Sequence, residues 1–289
     1  MCAFDRFPRV VERIQELEPM EQHALEKVCG DGAFDFIARF PPFDLTLSEY
    51  VRAGRRRTRD EASLSPQVWA QQGNRFFVLQ QLSGEARVQV IARDDLLTFE
   101  IGEVLLHDWL ELAYAHANET RIVHIDFNAV GLDWLKPFIA SLRERVQNTN
   151  SETASNLESQ IAPLPYKWQT IMQIQAKAFN ETAVSCAHEP SAPRRWFWQG
   201  GREGKLVLLM PQHLVVVREP LEIYPHGWIT KSCVRSHIRD ARLLLTEQSA
   251  ILELTLGARE LKFPIELPRA HADTLTQMAQ EIENQLERI

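Results

Sequence analysis

The chain has 289 residues, 45% hydrophobic and 25% charged, a mixture that supports a buried core and excludes a chain disordered throughout. A formal net charge of -7 and a pI of about 5.8 argue against nucleic-acid binding, which needs a basic face to neutralise phosphates. The N-terminus lacks the apolar core of a secretory signal, and the longest apolar run, around Leu206 to Met210, is far short of the ~20 residues of a spanning helix, so a cytoplasmic protein is expected.

In chain order, residues 9–28 carry apolar side chains at helical spacing (Val10, Val11, Ile14, Leu17, then Ala24, Leu25, Val28), with Pro19 placed to start a second helix. Gly30 and Gly32 end that pattern, Pro41-Pro42 marks a corner, and Leu45 to Val51 suits a short helix. Residues 68–128 read as successive strands broken at Gly73, Gly84, Gly102 and the Ala117-Asn118-Glu119 turn. The spacing of Leu132, Leu135, Ile139, Leu142 and Val146 predicts a helix over 131–146, with Pro137 tolerated in its first turns.

A Ser/Thr/Asn-rich stretch closed by two prolines then reads as a linker, and a short helix is expected over 166–179. Strand-like runs follow at regular spacing: KLVLLM, HLVVVREP, GWITKSCV, ARLLLTE, AILELTL and ELKFPIEL. Gly257-Ala258 fits a two-residue hairpin turn, around which Leu252, Leu254 and Leu256 alternate with Ile251, Glu253 and Thr255. The end of the chain is an amphipathic helix with its apolar stripe at Leu275, Met278, Ile282 and Leu286. The expected organisation is an N-terminal helical extension (1–60), a first strand-rich unit (61–147), a linker (148–165) and a second unit with a leading helix (166–289).

The C-terminal unit resembles a bacterial pleckstrin-homology-like (PH-like) domain. The resemblance rests on the paired strands of KLVLLMPQHLVVVREP, the Gly-aromatic strand and aliphatic run of HGWITKSCVRSHIRDARLLL, and a hairpin feeding a terminal helix. The stretch ARDDLLTFEIGEVLLHDWLELAYA with IVHIDFNAV resembles a second, more divergent copy. The fold class this implies is α+β: two antiparallel PH-like β-barrels or strongly bent sheets, each followed by a C-terminal helix. The resemblance also implies that Lys205 to Arg218 is the first hairpin of the second copy. Its Met210-Pro211-Gln212-His213 turn lacks the basic cluster with which lipid-binding members hold phosphoinositides.

Several residue groups could carry chemistry. His124, Asp126 and Asn128 alternate along one strand, as on a solvent face or in an acid–base or metal site. His107-Asp108 and Asp94-Asp95 with Glu100 and Glu103 place carboxylates near a histidine, at positions that suit solvated strand ends. Cys186 and His188 are near neighbours in an expected loop. The four cysteines, Cys2, Cys29, Cys186 and Cys233, lie far apart, so isolated reduced thiols are expected. Arg55, Arg56, Arg57 and Arg59 form a dense basic run suited to an anionic surface. Arg194, Arg195, Trp196 and Trp198, with Phe197 between the tryptophans, suit a partner-binding loop. No nucleotide-binding glycine loop, zinc-protease, serine-hydrolase or EF-hand motif occurs, and no catalytic, cofactor or metal site is assigned.

The function expected is non-catalytic binding or scaffolding of a protein or peptide partner, without a cofactor. The alternatives are peripheral binding to anionic membranes and a cryptic metal-dependent hydrolase using His124 and Asp126.

Overall fold

The computed structural model describes residues 8–29, 32–41, 66–82, 84–104, 107–117, 119–128, 132–143, 163–192, 201–219, 227–257 and 260–286. The first element, β1 (Arg9–Val10), pairs with β2 (Phe36–Phe40), and α1 spans Pro19–Cys29. The N-terminal region is therefore not a purely helical extension: Phe36–Phe40 already belongs to the first sheet. Residues 9–28 hold a strand, a 3₁₀ turn at Ile14–Glu16 and one helix begun by Pro19, whose missing N–H costs nothing at a first helical position.

The chain continues through β3 (Gln67–Gln72), β4 (Arg75–Leu82), β5 (Glu85–Ala92), β6 (Leu96–Val104), β7 (His107–His116), β8 (Glu119–Asn128) and α2 (Leu132–Arg143). The second half holds α3 (Tyr166–Phe179), β9 (Ser185–Glu189), β10 (Lys205–Leu209), β11 (His213–Arg218), β12 (Gly227–Val234), β13 (Ile238–Leu245), β14 (Ser249–Leu256), β15 (Leu261–Pro268) and α4 (Ala272–Leu286). The chain is thus α+β, with antiparallel pairing throughout these strands.

Setting aside β1 and the 3₁₀ turn before α1, and a 3₁₀ turn at Arg269–His271 before α4, each half runs helix, four strands, a 3₁₀ turn, three strands, helix. The correspondence reaches individual atoms. Arg93 opens the first 3₁₀ turn and Arg235 the second. The Arg93 N–H donates to Asn74 O at 2.9 Å, and the Arg235 N–H donates to Gln212 O at 2.8 Å, each bond tying the turn to a preceding hairpin. The strand after each turn then carries a register shift, between Leu96 and Thr98 and between Ile238 and Asp240.

The expected pair of barrels is not what forms. Among the described residues the sheets are open, with orders β1-β2-β3-β4-β5, β8-β7-β6-β12-β11-β10-β9 and β13-β14-β15. The central sheet is built from both halves, because β6 pairs with β12 from Thr98↔Cys233 to Val104↔Gly227. That ladder satisfies two rows of backbone groups that separate units would leave as open edges. It also sets Lys231 opposite Glu100, with Nζ 3.6 Å from the carboxylate.

Three cores follow from the layering. One face of the central sheet packs against β2–β5, α2 and α3, where Phe138 of α2 touches Phe36, Trp69 and Phe76 at ring separations of 5.4–5.7 Å. The opposite face of β9–β12 packs against β13–β15 and α4. Helix α1 covers the outer face of β2–β5. Leu252, Leu254 and Leu256 face inward as their alternation predicts. The hairpin beyond them is longer than expected: Leu256 pairs with Leu261, not with Arg259 across a two-residue loop. Gly257 takes φ +65°, and a Cβ there would lie 3.1 Å from Leu97. Pro264 is accommodated because β15 is an edge strand, where a missing N–H breaks no ladder on the open side.

Strand β9 was expected to be loop. The first hairpin of the second half is therefore β9–β10, not Lys205 to Arg218. Its connection is the one that carries Arg194, Arg195, Trp196 and Trp198. In the first half the same connection, between β2 and β3, carries Arg55, Arg56, Arg57 and Arg59. All eight residues lie outside the described residues, as do the expected helix at 45–51 and the linker up to residue 162.

Helix α1 is anchored by a buried charge. The fully buried Glu21 carboxylate accepts Arg39 Nε on both oxygens (3.0 and 3.1 Å), Gln81 Nε2 (3.1 Å) and the Glu18 backbone N–H (3.1 Å). The last is half of a capping box. Replacing Glu21 with Ala strands Gln81 Nε2 and leaves Arg39 only its contact with the exposed Glu18, and should lower stability by ~3 kcal/mol in a denaturant titration. Lys231→Glu, which sets like charges across the seam, should cost at least ~1 kcal/mol in the same measurement.

Candidate functional site

Two places concentrate polar side chains in a way core packing does not require. The first is the face of β6–β8 turned away from the large aromatic core. His124 sits between two carboxylates: Nε2 is 3.0 Å from Asp126 Oδ1, and Nδ1 is 3.4 Å from Glu111 Oε2. Asp126 and Glu111 are buried, so this row is no simple solvent face. The Asn128 side chain is outside the described residues.

Register explains the grouping. His124 is opposite Glu111, Glu111 opposite Glu100, and Glu100 opposite Lys231, a row of charges across four strands. One row over, Trp109 lies flat on Gly102, where a Cβ would come within 2.2 Å of its ring, and the Trp109 Nε1–H donates to Glu100 Oε1 at 3.2 Å. Glu100 Oε2 also lies 3.9 Å from Arg218. Lys231 thus faces Glu100 at one end of the row and His124 faces Glu111 at the other, while the two carboxylates between them face each other; both nitrogens of the His124 ring face internal carboxylates. General acid–base work on a substrate would need one of those contacts to open. Among the described residues no group of His, Cys, Asp and Glu is arranged to hold a metal ion.

The second place is a groove of about 630 Å³ at the end of the β6–β12 ladder, where Glu103 pairs with Trp228 and Val104 with Gly227. Glu103 comes from the first half, and Lys167, Ile171, Ile174, Gln175 and Trp228 come from the second. The Lys167 ammonium is 2.6 Å from Glu219 and lies 4.6 Å from the Trp228 ring centroid. Trp228 meets Trp168 edge to face at 5.8 Å. Ile174 is 56% exposed, and Tyr166, two turns earlier on α3, is 83% exposed. Glu103 is open to solvent on one side, yet protein on the other raises its carboxyl above the ordinary range against the pull of Arg143 and Lys136.

The Cys186–His188 pair is not a nucleophile and base. Both stand on β9 facing Trp168 and its neighbours, not in a loop. Burial raises the Cys186 thiol, and burial lowers the His188 imidazole, with His271 adding to the shift and Glu189 opposing it. A thiolate nucleophile needs the opposite setting. Asp94 and Asp95 fall in the first 3₁₀ turn, away from both clusters of chemistry.

Sequence inspection missed Gln175 and Arg235. Both occupy ordinary-looking helical or turn positions, and only burial distinguishes them. Arg235 is buried and braces the carbonyls of Met210 (2.9 Å) and Glu281 (3.0 Å); burial lowers its pKa against the pull of Glu281 and Glu181. Neither protein-family models nor curated proteins yield a match to this chain.

The described cysteines give a pH prediction. Cys29, Cys186 and Cys233 are free and buried, and burial pushes the Cys233 thiol from 9.0 up to about 12. The unfolded thiol ionises first, so the unfolded state binds fewer protons and stability falls as pH rises from about 9 to about 12, by up to ~1.4 kcal/mol per unit. Cys233→Ala should flatten that alkaline limb in melts across pH 8–11 while lowering stability at pH 7.

Proposed function

We propose that the chain is a non-catalytic binding module made of two PH-like units, and that it recognises a segment of a partner protein. The twice-repeated order of four strands, three strands and a closing helix, with matching 3₁₀ turns and register shifts, supports the PH-like reading. PH-like frames host many functions, so the site must carry the functional argument. The observation that carries it is the seam groove, in which the exposed Ile174 and the Trp228 ring adjoin a few placed polar groups. That combination of apolar bed and sparse polar contacts characterises recognition sites.

The test is capture from host lysate with the full chain, followed by calorimetry on the purified partner. One protein should bind the wild type stoichiometrically and lose at least about tenfold in affinity with Ile174→Asp, a surface change that leaves melting unaltered. Equal affinity for both chains would remove the groove from the function. The paired Trp196→Ala, Trp198→Ala chain asks the same question of the β9–β10 connection.

A second reading, peripheral binding to anionic membranes, draws on one topological observation. The two basic segments, at Arg55–Arg59 and Arg194–Arg195, occupy the same connection of their respective halves. Sedimentation with phosphatidylserine vesicles should then show binding that weakens with salt and disappears when Arg55, Arg56, Arg57 and Arg59 become Ser. Salt-independent or absent sedimentation would dismiss it.

A further inference from the structure

The seam groove contains an unsatisfied group. Gln175 is 7% exposed; its Nε2 reaches Thr230 Oγ1 at 3.4 Å, and its Oε1 has no hydrogen-bond partner among the described residues. Leaving a buried amide oxygen unpaired costs ~1–3 kcal/mol, and folds seldom tolerate it without a use. Gln175 lines the groove, so a donor entering there would be its partner. On the other half of the molecule, Glu103 lines the same groove and forms no salt bridge among the described residues; Arg143 and Lys136 act on it from farther away. Lys167, the one cation lining the groove among the described residues, already has its charge balanced by Glu219.

The bed beneath these acceptors is apolar: Ile171 is buried, Ile174 is exposed and the Trp228 ring is partly covered. An occupant must therefore donate hydrogen bonds, carry positive charge toward Glu103, and offer an aliphatic stem to the isoleucines. A neutral amide could meet Gln175 but would bring no charge to Glu103, which has only the more distant Arg143 and Lys136 to offset its carboxylate. A carboxylate or phosphate would face two acceptors. Long cationic side chains have the required shape, with methylenes that lie along apolar surface and a head rich in donors.

We propose that the groove between the halves receives a lysine or arginine side chain from an extended segment of the partner protein. This rests on the partner-binding reading above and adds the chemistry of the residue recognised. Gln175 Oε1 and the Glu103 carboxylate accept hydrogen bonds from the cationic head, while Ile171 and Ile174 hold the stem. Because one acceptor comes from each half, the site exists only where β6 and β12 are paired.

The test is selection of a random twelve-residue peptide library displayed on phage against the full chain, with the Ile174→Asp chain as counter-selection. Enriched peptides should share a basic position. Replacing that residue with citrulline (for Arg) or norleucine (for Lys) should weaken binding about tenfold, the scale of one charge-assisted hydrogen bond. Glu103→Gln should erase the difference between charged and neutral peptides, and Gln175→Glu should enlarge it. Melting curves on each variant establish that it is folded. Enriched peptides that tolerate the neutral replacement would overturn the cationic assignment while leaving the groove a peptide site. No enrichment over the counter-selected chain would overturn both.

Discussion

The rest of the structure depends on the ladder between β6 and β12. Each strand closes one side of its own half, and alone each would present unpaired N–H and C=O groups to water. Joined, they turn a three-stranded and a four-stranded sheet into one seven-stranded sheet with a continuous hydrogen-bond ladder. The largest core then runs along one face of that sheet, under strands of both halves, so the two units share their apolar interior. The Glu100–Lys231 pair fixes the register where a slip of one residue would invert every side chain.

Shared pairing also explains why the two halves, alike in element order, differ in surface. The outer face of β13–β15 alternates as a solvated sheet does, with Lys262, Pro264 and Glu266 exposed. The corresponding strands β6–β8 lie beside the second half, and their outer face is largely buried. There Glu100 meets Lys231 and Arg218 of the second half, and Glu111 and Asp126 meet His124, instead of bulk water. Buried polar rows of this kind cost more than apolar packing and return geometric specificity, here the alignment of four strands.

Much of this was legible in the chain, and the exceptions have physical causes. The leucine alternation at 252–256 and the stripe of α4 depend on local periodicity alone, and both elements form where their patterns place them. Short strands without alternation were not legible: FIARF and SCAHE are inaccessible on nearly every residue, because sheets or helices cover both faces. His124, Asp126 and Glu111 could be named, but their meeting required the register of β7 on β8. Gln175 and the seam groove had no linear signal, since one wall is some seventy residues from the other and only the ladder joins them. The likeness in element order was visible as a rhythm, whereas the matching turn arginines and register shifts needed coordinates.

The ladder has a further consequence during synthesis. Strand β6 ends at residue 104 and its partner β12 begins at residue 227, so the ribosome completes the first half long before the second can pair with it. Throughout that interval the nascent first half exposes a long strand edge beside an apolar face that later contacts α3. Such an edge is the template on which neighbouring chains aggregate. The protein's vulnerable state is thus set by elongation time, and synonymous changes that slow translation between codons 105 and 234 would lengthen it without altering a single residue.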